Sequence, residues 1–176
     1  PSRVDTADQT TFNFFYAPAK PKRPVQEFQM GTYGVSPTVP ALVIPADSVK
    51  AFHSDYTLPF DISVLTINPH MHLLGKSFLA YAITLQNDTI PLIRINKWDF
   101  RWQYFYTFKT MQKIPRGATI HVEGVFDNTR KNPNNPFSPP RLVAEREGSM
   151  GTSDEMFQFI ITYLPYMEGD ENIRLE

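Results

Sequence analysis

Cysteine is absent from the 176-residue sequence, and other features that would point directly to a function are missing too. Without cysteine, the chain can form neither a disulfide framework nor a thiolate metal site. It contains no run of 18 or more apolar residues, so the sequence predicts no membrane span. The formal net charge is −1 and no dense basic cluster is present, which argues against nucleic acid as a partner.

Proline and aromatic residues, by contrast, are plentiful. The sequence has sixteen prolines, and 14% of its residues are aromatic. Helix interiors tolerate proline poorly, whereas aromatic side chains favour strands. About eight or nine short strands with long connections are therefore expected. This pattern predicts an all-β fold, a two-sheet antiparallel β-sandwich of jelly-roll type.

Residues 1–25 and 26–176 differ in character. The first segment is polar at its start; residues 10–25 then begin as an expected strand and end in a proline-rich linker. We expect residues 1–25 to be an arm, the tail of a preceding domain, and residues 26–176 to form one domain. In the second segment, alternation predicts a hairpin turning at Asn87-Asp88, an aromatic strand over 100–108 and a strong strand over 153–166.

The sequence NPHMHLLGK, residues 68–76, contains two of the four histidines. In a strand, alternate side chains share a face, so His70 and His72 would point the same way with Cα atoms about 6–7 Å apart. Two neutral imidazoles at that separation can bind one copper, zinc, iron or nickel ion. Met71 and Leu73 would point to the opposite face. The spacing alone supports a metal site and a pair of ordinary packed histidines about equally.

A metal site would need a third ligand, and the sequence leaves several candidates. His53 and His121 stand alone and are interpreted as structural or exposed. A carboxylate is another option, but Asp154 and Glu155 are interpreted as loop or strand-start residues. Met156 would be either a core residue or a soft ligand that copper accepts better than zinc.

Five motifs, HMHLLGKSF, WDFRWQYFY, IPRGATIHV, FDNTRKNPNNP and TSDEMF, occur in one order over roughly residues 26–168. In this the chain resembles the C-terminal domain of the type II, ascorbate-dependent copper monooxygenases, the family that includes peptidylglycine α-hydroxylating monooxygenase and dopamine β-monooxygenase, and most closely their bacterial relatives.

The resemblance implies a catalytic copper site on His70, His72 and Met156, with Met150 as the rival sulfur ligand. It implies one copper ion that activates dioxygen to hydroxylate a C–H bond of a small organic substrate. It also implies an external reductant, such as ascorbate or a redox protein, and a periplasmic or secreted location. A first, electron-transfer copper domain is not contained in this chain, so residues 26–176 are expected to need a redox partner or that missing N-terminal domain.

Several positions depart from the family pattern. Asn68 replaces an arginine that binds a substrate carboxylate in the peptide-hydroxylating enzyme, Ile160 replaces a tyrosine, and Gln158 replaces an asparagine. These departures disfavour carboxylate-terminated peptides as substrates. Phe157 stands where the animal enzymes have a disulfide cysteine.

Two other functions compete with the monooxygenase. The chain could be a non-catalytic β-sandwich that binds copper or a partner protein. It could also be a cupin-like iron or zinc enzyme in which His121 and Glu123 add ligands. Trp98 and Trp102 are interpreted as packing residues rather than as residues that stack on a substrate.

Overall fold

A computed structural model describes residues 4–5, 7–146 and 151–175. It contains ten strands and a single-turn 3-10 helix over Asp170–Asn172. The strands are β1 (Gln26–Gly31), β2 (Val43–Ile44), β3 (Ser48–Thr57), β4 (Ile62–Met71), β5 (Gly75–Ile83), β6 (Thr89–Ile95), β7 (Tyr106–Ile114), β8 (Thr119–Asn128), β9 (Val143–Ala144) and β10 (Phe157–Pro165). No helix in the described part of the chain is long and apolar enough to cross a membrane.

The long strands form two four-stranded antiparallel sheets, with the orders β1-β10-β4-β7 and β3-β8-β5-β6. The short strands β2 and β9 pair separately. Buried and partly exposed residues alternate along all of β8 and most of β5, as expected for strands with one face on a core.

The inner faces of the two sheets meet in one hydrophobic core. Phe159 of β10 lies 5.8 Å from Phe78 of β5, and Phe157 lies 6.2 Å from Phe126 of β8, measured between ring centroids. The predicted all-β, two-sheet antiparallel sandwich is confirmed. The jelly-roll connection pattern and the division at residue 25 stay predictions.

Three strand predictions were wrong in part, and one of them, the strand expected over 153–166, begins only at Phe157. Residues 10–25 contain no strand, and the aromatic side chains of Phe12, Phe14, Phe15 and Tyr16 are exposed. Aromatic content favours a strand only where a neighbouring strand is available for pairing. The strand expected over 100–108 begins only at Tyr106, because the preceding residues form a loop that crosses from β6 of one sheet to β7 of the other.

Candidate metal centre

The two closely spaced histidines lie at the end of β4, a strand flanked by β10 and β7. His70 is the last residue but one of β4, and His72 is the first residue after it. Met71 between them is buried in the core, so strand alternation turns both imidazoles to the other side. The ring centroids are 5.0 Å apart and the ring planes are at 87° to each other. The predicted common face of His70 and His72 is confirmed.

The ring of His72 is held by a backbone carbonyl. Its Nδ1 lies 2.9 Å from the carbonyl oxygen of Asp154, three residues before the start of β10. A carbonyl oxygen can only accept, so Nδ1 of the neutral ring carries the proton and donates. The lone pair is then on Nε2, the nitrogen that this tautomer offers to a metal ion.

The buried carboxyl group of Glu155 holds the backbone around His72. One oxygen accepts the N–H of His72 at 2.9 Å, and the other accepts the N–H of Leu74 at 2.7 Å. Burial raises the pKa of Glu155 to about 8, against the opposing effect of backbone N–H groups that include that of Met156. Glu155 lies in the loop that leads into β10, as its interpretation as a loop or strand-start residue has it, but the sequence did not predict its burial or its two hydrogen bonds to the turn after β4. Its position directly before Met156 was the one available signal.

Two further side chains fix the turn between β4 and β5. The indole N–H of Trp98 donates to the carbonyl of His72 at 3.2 Å. The amide of Asn132 donates to the carbonyl of Leu73 at 3.4 Å, from the loop that follows β8. Glu155 accepts from N–H groups of this turn, and Trp98 and Asn132 donate to its carbonyl groups, so three side chains fix the turn.

The ring of His70 is half-buried and favours its neutral form. Burial lowers the pKa of His70, and the nearby ring of His72 lowers it further, whereas the side chain of Gln103 acts in the opposite direction. A neutral imidazole is the form that binds a metal ion. Burial therefore prepares His70 for that role.

The start of β10 lies beside the histidines. Gln158 is the antiparallel partner of His70, and Phe157 is the partner of Met71. Continuing this register by one pair places residue 156 opposite His72. The side chain of Met156 is only 5% exposed. Met150, the rival sulfur, lies outside the described residues.

The other two histidines belong to the opposite sheet. His53 on β3 and His121 on β8 stack with ring centroids 5.7 Å apart, and Nδ1 of His121 lies 2.6 Å from a carboxylate oxygen of Asp55. The structure does not bring either ring to His70, so neither supplies a third ligand there. Glu123 is the strand partner of His53, so it also lies on the opposite sheet. The cupin-like ligands His121 and Glu123 are therefore separated from His70 and His72. No group of three or more His, Asp or Glu side chains that could hold a metal occurs in the described ranges.

An aromatic loop, residues 98–105, lies against the two histidines. The ring of Phe100 meets that of His72 edge to face at a centroid distance of 5.8 Å. Trp98 is buried, and its predicted packing role is confirmed. Trp102 is 63% exposed, so the packing prediction for it was wrong. The side-chain amides of Asn68 and Gln103, which donate to carbonyls of the loop, hold it in place instead of burial of that indole.

Two comparisons with known proteins bear on this centre. The sequence model of the family described as copper type II ascorbate-dependent monooxygenase, C-terminal domain, matches residues 48–172. The match covers well over half of the chain and runs from the first residue of β3 to the last residue of the 3-10 helix. It includes His70, His72 and the start of β10. A search of curated proteins found no significant match.

Proposed function

The chain belongs to the C-terminal domain family of the copper type II ascorbate-dependent monooxygenases, and on that premise we propose that it is the copper-binding catalytic half of such an enzyme. The proposal rests above all on the perpendicular imidazoles of His70 and His72, 5.0 Å apart, with Nε2 of His72 free of the carbonyl contact. The thioether of Met156 completes the proposed ligand set.

The donor set fits a copper ion. Two neutral imidazoles and one thioether are ligands that Cu(I) accepts, whereas a thioether is a poor ligand for zinc. When bound, copper would supply the one-electron chemistry with dioxygen that C–H hydroxylation requires. Glu155 keeps the backbone of His72 in place, and the carbonyl of Asp154 keeps its tautomer.

The proposed reaction also defines its partners. One oxygen atom of dioxygen enters the new hydroxyl group and the other leaves as water, which consumes two electrons and two protons from outside. Ascorbate, a redox protein or a preceding copper domain would supply the electrons. A periplasmic or secreted location, which cell fractionation would test, is part of the same proposal.

Copper titration of matched variants tests the ligand set. We expect His70→Ala and His72→Ala to lose tight copper binding, and Met156→Leu, which conserves volume, to weaken Cu(I) more than Cu(II). The control is the double variant His53→Ala/His121→Ala, which removes the other two histidines from the opposite sheet. Equal copper binding by the His70→Ala variant and the control would refute the proposed site.

Oxygen consumption separates catalysis from mere binding. After unbound copper has been removed by desalting, the copper-loaded protein should consume dioxygen with ascorbate, whereas the His72→Ala variant treated in the same way should not. If the protein binds copper through His70 and His72 but shows no excess oxygen consumption with ascorbate or with an added one-electron redox protein, it is a non-catalytic copper-binding domain instead.

A further inference from the structure

One buried polar atom of the aromatic loop lacks a hydrogen-bond partner. It is the side-chain oxygen Oε1 of Gln103, and no donor among the described residues lies within hydrogen-bond geometry of it. The amide nitrogen of the same side chain donates to the carbonyl of Phe100 at 2.8 Å, so the side chain is anchored at that atom. Nearly all buried polar atoms are hydrogen-bonded, and an amide oxygen can only accept. Oε1 therefore needs a nearby N–H or O–H group.

Three side chains form a row along the outer face of β4. They belong to Asn68 and His70, within the strand, and to His72, directly after it. Ile67 and Met71, which point the other way, are buried in the hydrophobic core. His70 is therefore the middle member of the row.

The aromatic loop contacts both ends of this row. At one end, the amide of Asn68 donates to the carbonyl of Tyr104 at 2.8 Å. At the other end, the rings of Phe100 and His72 meet edge to face at a centroid distance of 5.8 Å. Gln103 lies between Phe100 and Tyr104 in the loop. These two contacts therefore place Gln103 along the middle of the row, where the other imidazole lies.

The electrostatic environment of His70 agrees with this placement. Burial, followed by the nearby ring of His72, lowers the pKa of His70, whereas the side chain of Gln103 raises it. An acceptor close to a ring N–H has this effect, because it favours the protonated nitrogen. Oε1 is therefore close to the ring of His70, in a contact that is not an aligned hydrogen bond. Contacts of this kind often tighten when a binding site is filled.

We propose that Gln103 is a positioning residue of the metal centre, whose Oε1 accepts a hydrogen bond from the ring N–H of His70. The other ring nitrogen of His70 then keeps its lone pair for the metal ion, as Nε2 does in His72. The two imidazoles are thus oriented by oxygen acceptors from different parts of the chain, the amide of Gln103 and the carbonyl of Asp154. This inference rests on the proposed function, because it assigns a role at the copper-binding pair.

NMR of the metal-free protein tests the hydrogen bond separately from copper binding. At pH 8, above the ordinary pKa of histidine, the ring nitrogen shifts of labelled protein show which nitrogen carries the proton. We expect one tautomer of His70 in the unchanged protein and a mixture in Gln103→Leu, which removes the acceptor. Gln103→Glu keeps an acceptor oxygen and should keep the single tautomer. His72 is the internal control, because the carbonyl of Asp154 fixes its tautomer in all three proteins.

Copper titration measures the consequence for the metal centre. Gln103→Leu should weaken copper binding about 10- to 100-fold, the usual effect of removing a hydrogen-bond partner of a metal-binding histidine. Gln103→Glu should weaken it much less. The matched control is Trp102→Ala, which removes a 63% exposed ring next to Gln103 in the same loop. It should leave copper affinity and both histidine tautomers unchanged.

Three results would overturn the inference. One is an unchanged tautomer of His70 or an unchanged copper affinity in Gln103→Leu. Another is an equal change at His72, and the third is an equal effect of Gln103→Glu or Trp102→Ala. The last two would assign the effect to the loop as a whole instead of to Oε1. Failure of the unchanged protein to bind copper through His70 and His72 would refute the proposed function, whereas the tautomer measurement would still decide the hydrogen bond.

Discussion

Removal of the Glu155 carboxyl group should destabilise the fold and disturb the metal centre together. Glu155→Ala leaves the N–H groups of His72 and Leu74 without their acceptors in a buried position. Each unsatisfied buried N–H costs about 1–3 kcal/mol, so the free energy of unfolding should fall by about 2–6 kcal/mol. That is a large part of the total stability of about 5–15 kcal/mol of an ordinary domain.

Urea denaturation followed by circular dichroism measures this loss. Glu155→Gln keeps the size of the side chain and one acceptor oxygen, so its loss should be smaller. Comparing the two variants separates the hydrogen bonds from the cavity. The control is Glu123→Ala, on the outer side of β8, where a substitution should change stability by about 0.5 kcal/mol or less.

The folded Glu155→Gln variant then tests the metal centre. Because Glu155 orients a ligand without touching the metal, its replacement should weaken copper binding about 10- to 100-fold. The reasoning would be refuted if the free energy of unfolding of the Glu155→Ala variant lay within 1 kcal/mol of that of the unchanged protein. It would also be refuted if both variants bound copper normally.

Three further substitutions test the stability of the fold. The side chain of Arg23 lowers the pKa of Asp170. The ionised carboxylate therefore stabilises the fold at pH values above the ordinary carboxyl pKa, and this contribution fades as the pH falls. Asp170→Asn should lower the free energy of unfolding by about 2–3 kcal/mol at pH 7 and by much less at pH 3, measured by urea denaturation. In Gly124→Ala, the new Cβ would lie 2.6 Å from the ring of Phe157, and thermal unfolding should show a loss of about 1–3 kcal/mol. Asn128→Ala removes an amide whose two hydrogens are shared among three backbone carbonyls, and a loss of about 2 kcal/mol is expected in the same assay.

Features that depend on neighbouring residues could be predicted from the sequence. The common face of His70 and His72 follows from strand alternation, and the hairpin of β5 and β6 follows from two alternating segments around a turn. Each of these predictions uses residues that are close together in the sequence. The extra strand over 10–25 shows the limit of this reasoning, since local propensity says nothing about whether a pairing strand is present.

Features that depend on distant residues were missed. Glu155 lies 83 residues after His72, and only the pairing of β10 with β4 brings its carboxyl group to the turn. Trp102 was expected to be packed because large aromatic side chains usually are. Its exposure follows from the way Asn68 and Gln103 hold the loop, which no local pattern indicates.

The two histidines, although only two residues apart, are positioned by different parts of the chain. His70 is inside β4, where its partner on β10 fixes its backbone. His72 lies beyond the last paired residue of β4, so its N–H has no strand partner and is taken by Glu155 instead. Its ring is fixed by the carbonyl of Asp154. The angle between the two imidazoles is therefore set by the residues that lead into β10, and a register shift of β10 by one residue would separate these supports from His72 even if β4 itself were unchanged.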